Sequence, residues 1–314
     1  MLRRLTPTIL AAFAAALATG SVASAQDPGT RGRIDGGSAA QDAEGIRRYV
    51  FAGVAIDSFR IAEWPTLQNA VNDLRGVRSV LQEQYGFESP DEWILTNSDA
   101  TQRGISDLLD ALHDDSTGIQ EGDALVFFFA GHGTGNDGRG FLVPHDIGKK
   151  ITDAESHYIM LGPLIERLNL LPARHVLLII DACKSGLALT SNDGLKEALL
   201  DGELKRQIEE MESSPSRLVV TSAESDESAY DGNGPMEGHS LFTGYLIQGL
   251  ERAASGSVPP DSLTTERGRV PAMGLFDYVQ RRVAEASAML QDAQNPTVGA
   301  FMTRGDTRAG GTRG

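Results

Sequence analysis

Two near-continuous apolar runs, Ala124–Phe129 (ALVFFF) and His175–Ile180 (HVLLII), constrain this chain more than any other feature. A strand with one wet face alternates polar and apolar residues, and these runs do not. Both must therefore be covered on both faces, as in a mostly parallel sheet between layers of helices. The first run leads into Gly131-His132-Gly133 and the second into Asp181-Ala182-Cys183. In open parallel sheets, loops and ligands gather at the carboxyl ends of the strands. The two runs thus aim a histidine and a cysteine at one rim.

The rest of the chain supplies matching elements. Tyr49–Ile56 (YVFAGVAI) reads as a first strand, Trp93–Leu95 as a short one and Arg217–Thr221 as another. Apolar residues recur at helical spacing through Leu67–Gln84 (Ala70, Val71, Leu74, Val77, Val80 and Leu81). Helices are also predicted over Thr101–Leu112, with Thr101 as a candidate cap, and over Leu161–Leu168, Leu241–Arg252 and Leu275–Leu290. Strands alternating with helices make this an α/β chain. Residues 191–216 are polar and charged, and read either as a helix-containing excursion or as a cleavable linker.

The ends differ from this pattern. Arg3 and Arg4, the apolar stretch Ile9–Ala18 and the small residues Ala23-Ser24-Ala25 follow the order of a secretory signal peptide over residues 1–25. The chain is therefore expected to be exported, to the periplasm or beyond, with no membrane span after signal removal. Residues 26–46 read as a flexible linker and 303–314 as a disordered tail, leaving 47–302 for one folded domain. The formal charge of −15 disfavours nucleic acid and anionic membranes as partners and favours cationic ones.

Cys183 is the only cysteine, so no internal disulfide can form. A lone cysteine is often a small buried hydrophobe, but this one follows a strand end and precedes a tight Lys184-Ser185-Gly186 turn. A thiol becomes a strong nucleophile when a base takes its proton, and His132 is the candidate base and later acid. The backbone N–H groups of Gly133 and Cys183 are candidate donors to an oxyanion. The other histidines lack the spacing of metal ligands, and no cofactor is expected. Asn136-Asp137-Gly138 reads as a turn.

The run FFFAGHGTG resembles the catalytic histidine segment of the caspase, metacaspase and paracaspase group of cysteine peptidases, and IIDACKSG resembles its cysteine segment. Caspases place that histidine about 50 residues ahead of the cysteine; here the two lie 51 apart. GVAIDSF with LQNAVNDLRGV is similar to the family's opening strand and helix, GFLVPHD to its hairpin, EGHSLFTGYLIQGL to its late helix and QNPTVGAF to its closing strand. The resemblance implies a caspase-like three-layer sandwich with a mostly parallel central sheet. It also implies a His132/Cys183 dyad that cleaves peptides through a thioester.

Metacaspases and paracaspases carry an acid two residues before the cysteine and another in the first helix. By that likeness Asp181 and Asp73 are expected to line a pocket for Arg or Lys before the scissile bond. Their alternative is Asp73 as a solvated helix residue and Asp181 as a turn cap. Asp226 and Glu227 are candidates for a third acid at the rim. Lys184 stands where metacaspases commonly have another residue, and is expected to point to solvent. Lys196, Lys205, Arg206 and Arg217 lie where relatives are cut between subunits, so self-cleavage within 191–217 is expected. Some metacaspases need calcium; the sequence places no site for it. Two rivals remain at this stage: an inactive binding or scaffold module on the same fold, and a transpeptidase sharing the acyl-enzyme step.

Overall fold

The computed structural model describes residues 46–148, 157–183, 186, 216–225, 227–255, 272–290 and 292–300. The expected signal peptide, the linker up to residue 45, residues 187–215, the tail, Lys184 and Asp226 lie outside the described residues.

The predicted strands form one six-stranded sheet, in the order β2-β1-β3-β7-β8-β9. These are β1 (Tyr49–Ala55), β2 (Ile94–Thr96), β3 (Ala124–Ala130), β7 (His175–Asp181), β8 (Ser216–Thr221) and β9 (Thr297–Ala300). Only β9 runs antiparallel to its neighbour. The two apolar runs are the adjacent central strands β3 and β7, each buried along its whole length.

The period of two divides their side chains between two cores. Val126 and Phe128 of β3, with Leu177 and Ile179 of β7, face helices α1 (Ala70–Tyr85), α4 (Leu241–Ala254) and α5 (Ala272–Ser287). Phe127 and Phe129, with Leu178 and Ile180, face α2 (Gln102–Leu112) and α3 (Leu161–Asn169). This is the expected three-layer α/β sandwich. Gly53 marks how tightly α1 lies on β1: a Cβ there would come within 2.8 Å of Leu74 Cδ1.

Local chemistry sets the element ends. Thr101 caps α2 by accepting the Gly104 N–H at 2.9 Å. Helix α1 starts at Ala70 rather than Leu67, because the Leu67 N–H is bound by the Asp57 carbonyl and the next two N–H groups by the Asp231 carboxylate. Beyond β3 a second, three-stranded sheet forms from β4 (Gly133–Asn136), β5 (Arg139–Leu142) and β6 (Ile159–Met160). Asp137 and Gly138 close its hairpin, with φ of 49° and 75°. Two positive φ values belong to the tight turn whose twist matches the strands, and an Asp-Gly pair adopts it readily.

At the opposite end of the sheet from the Cys183 rim, Asp123 is fully buried. It accepts bonds from Arg47 Nε and Nη2, Arg48 Nε and the Gln120 N–H, at 2.9–3.0 Å. Among the described residues no helix is long and apolar enough to cross a membrane. Replacing Asp123 with Ala removes the carboxylate shared by Arg47, Arg48 and the Gln120 N–H, leaving Arg48 its bonds to Gly118 and Glu88. It is expected to lower unfolding stability by about 2–3 kcal/mol, read as an earlier urea midpoint at unchanged slope.

Candidate active site

The register of β3 and β7 builds the site. Ala130 pairs with Asp181, and the Gly131 N–H donates to the Asp181 carbonyl at 3.1 Å. His132 and Cys183 each stand two residues past that pair, on neighbouring parallel strands leaving the same edge. Their backbones touch: a Cβ on Gly133 would lie 2.3 Å from the Cys183 carbonyl oxygen. Any side chain at 133 would push the two segments apart, which explains the second glycine of the Gly-His-Gly run.

His132 is held from three sides. Its Nε2 lies 2.8 Å from the Pro65 carbonyl. A carbonyl only accepts, so Nε2 carries the proton and Nδ1 keeps the lone pair. The rings of Phe59 and Trp64 flank the imidazole, with centroids at 4.9 and 5.3 Å. Burial holds its pKa below the ordinary imidazole value, against the opposing pull of the Pro65 bond and of Asp231.

Cys183 is partly exposed. Its Sγ receives the Ala229 N–H at 3.3 Å. Burial pushes the thiol pKa up, while the Ala229 bond opposes that and Asp181 adds to it. The sulfur and the imidazole each use backbone partners rather than one another.

Asp73 and Asp181 do come together, and neither is solvated: they are 1% and 6% exposed. Ser240 joins them, giving its N–H to Asp73 at 3.1 Å and its hydroxyl to Asp181. It also caps α4 by accepting the Thr243 N–H at 2.9 Å. Thr243 Oγ1 donates a second hydroxyl to Asp181 at 2.7 Å. His239 Nδ1 lies 2.8 Å from Asp73 Oδ1. Burial raises the pKa of both acids, that of Asp73 to about 7. Among the described residues no Lys or Arg pairs with either carboxylate.

Of the two candidates for a third acid, Asp226 lies outside the described residues. Glu227 is committed to fixing its loop, accepting the Glu224 N–H at 3.1 Å within it and the Asn295 N–H at 2.7 Å from the segment before β9. Asp231 is a further acid, whose charge acts on His132 and Asp181. Its carboxylate accepts the Asn69 N–H at 3.0 Å, which anchors the segment bearing Pro65. No local pattern marked it, since its partners are more than 160 residues away in the chain. Gln294, fully buried, fixes the same loop by accepting the Tyr230 N–H at 3.0 Å and donating to the Ser222 carbonyl at 2.9 Å.

Arg217 is also reassigned. Its guanidinium donates to the carbonyls of Leu171, Ala173, Arg174 and Ser216, and its backbone belongs to paired strand β8. Cleavage after it would require that strand to unpair. Among the described residues no group of three or more His, Cys, Asp or Glu side chains is arranged to hold a metal ion.

A family model described as the caspase domain matches residues 54–306. Metacaspase-1 of Schizosaccharomyces pombe is 31% identical over 137 residues, covering 39% of this chain and 31% of that protein. Metacaspase-3 of Arabidopsis thaliana is 30% identical over 138 residues, covering 40% and 36%. The matches thus span about a third of the curated relatives' length. The crystal structure of caspase-1 from Spodoptera frugiperda superposes with a TM-score of 0.52 at 16% identity, covering 88% of this chain and 96% of that one. It shares the fold.

The direction of the two shifts gives a testable expectation. A neutral imidazole beside a protonated thiol means that alkylation of Cys183 by iodoacetamide should keep accelerating from pH 6 to pH 9. A rate already level at pH 6 would reveal a resting thiolate–imidazolium pair instead.

Proposed function

Since this chain belongs to the caspase-domain family, we propose that it is a cysteine endopeptidase in which Cys183 is the nucleophile and His132 moves the proton. The observation that carries this reading is the shared rim. Both residues stand two positions beyond the Ala130–Asp181 pair, with Gly133 pressed against the Cys183 carbonyl.

The chemistry follows from the groups present. Cys183 Sγ attacks the scissile carbonyl as its proton passes to His132 Nδ1, the nitrogen not bound to Pro65. The Pro65 carbonyl then faces an imidazolium and stabilises it. The oxyanion is received by the backbone N–H groups of Gly133 and Cys183, each such donor being worth about 3–4 kcal/mol to the transition state. Collapse breaks the C–N bond, the leaving amine takes the proton from His132, and a thioester remains. Water adds to it by the reverse proton path and releases the free acid and the thiol.

The substrate preference rests on Asp73 and Asp181. Two buried carboxylates joined by Ser240 favour a cationic side chain before the scissile bond, and a planar guanidinium matches carboxylate geometry best. Self-cleavage is proposed between residues 191 and 215, at Lys196, Lys205 or Arg206, with Arg217 set aside by its place in β8. Export is proposed from the order of residues 1–25.

Fluorogenic peptides ending in Arg, Lys, Asp or Asn test the reading directly. The Arg and Lys peptides should be cleaved, and Cys183→Ala should abolish the activity. His132→Ala should lower kcat by at least about 100-fold, as expected for losing a general acid–base. Asp73→Asn or Asp181→Asn should raise KM for the Arg peptide more than it lowers kcat. A preference for Asp would overturn the pocket assignment. For self-cleavage, mass spectrometry after incubation should show fragments ending within 191–215 for the wild type and an intact Cys183→Ala chain; identical intact masses would refute it.

A further inference from the structure

Asp73 has a neighbour that a pocket for cations does not obviously need. His239 directs Nδ1 at Asp73 Oδ1 across 2.8 Å, on the same oxygen that takes the Ser240 N–H at 3.1 Å. The ring is not free to swing away. It lies directly on Gly76 of α1, where a Cβ would come within 2.7 Å of His239 Cε1. Gly244 of α4 lies against its Cβ, at an ordinary contact distance of 3.7 Å for a Cβ placed at 244. The glycine at 76 therefore makes the room on α1 in which this imidazole sits. Its side chain is only 16% exposed.

We infer that His239 is a specificity-determining residue, a fixed donor that favours the carboxylate form of Asp73 beside Asp181 and so sets how tightly the pocket binds a substrate cation. The inference rests on Asp73 and Asp181 being the pocket for the residue before the scissile bond.

The physical need is plain. Asp73 is buried against a second buried acid with no Lys or Arg beside it among the described residues. Such a group drifts towards its neutral form, and a neutral acid holds a guanidinium weakly. The titratable groups acting on Asp73 are His239, from the loop ahead of α4, and Asp181, from the end of β7. Burial is the largest influence raising its pKa, and the His239 bond is the first-ranked influence opposing it. Without His239 the carboxyl would keep its proton to a higher pH. Asp181 is served differently: the bonds that oppose its burial come from hydroxyl groups, those of Ser240 and Thr243 at the start of α4 and that of Ser222.

His239→Ala and His239→Gln, assayed with a peptidyl-arginine substrate and its uncharged citrulline analogue between pH 5.5 and 8.5, decide the matter. At pH 7 His239→Ala should raise KM for the arginine peptide about tenfold, the size of one charge-assisted contact. It should leave kcat within about twofold and the citrulline peptide unchanged. The acid limb of kcat/KM for arginine should move to higher pH. His239→Gln, which keeps an N–H donor, should recover most of the loss. Equal losses on both peptides, or a fall in kcat with unchanged KM, would make His239 a structural pin between α1 and α4 and overturn the inference. A wild-type enzyme that does not favour arginine over citrulline would overturn it together with the pocket assignment. Wild-type preference with unchanged variants would overturn it alone.

Discussion

The parallel, in-register pairing of β3 with β7 is the constraint on which this protein depends. Every residue from Ala124 to Ala130 faces a partner from His175 to Asp181, one for one. A slip by one residue would exchange the faces of every side chain on a strand, moving Phe128 and Ile179 out of one core and into the other. The two cores are filled by large side chains on both faces, so the register is fixed by packing rather than by any one bond. His132 and Cys183 inherit that precision because each lies only two residues beyond the last pair.

What surrounds them is less rigidly templated and is held by polar contacts. The loop after β8 carries Ala229 to the sulfur and Asp231 to the start of α1. The segment before α1 in turn offers Pro65 to His132. One loop thereby braces the surroundings of both side chains to which we assign the chemistry. It is tied down by Gln294 and by the Glu227–Asn295 bonds. The Gln294-Asn295-Pro296 stretch therefore acts as a clamp as well as the lead-in to β9.

The acidic pair shows a balance between stability and readiness. Burying Asp73 and Asp181 costs free energy that their hydrogen bonds only partly offset. The raised pKa of Asp73 expresses that cost. Between the ordinary carboxylate range and pH 7 the folded protein holds a proton that the unfolded chain releases, so stability falls as pH rises through that window. Strain of this kind is commonly kept at functional sites, where a ligand of opposite charge relieves it.

The sequence alone determined the sandwich, its strands and the rim to which His132 and Cys183 belong. Continuous apolar runs, helical spacing and Gly-bracketed strand ends are local signals, each set by covalent neighbours. It also paired Asp73 with Asp181, though by resemblance rather than by spacing. Only the tertiary structure decided that Glu227 bonds Glu224 and Asn295, that Arg217 is locked inside β8, that the charge of Asp231 acts on His132 and Asp181 and that His239 stands on Asp73. Those outcomes join residues as far as 166 positions apart. A side chain's role there depends on which distant backbone it meets, and no periodicity in the chain encodes that.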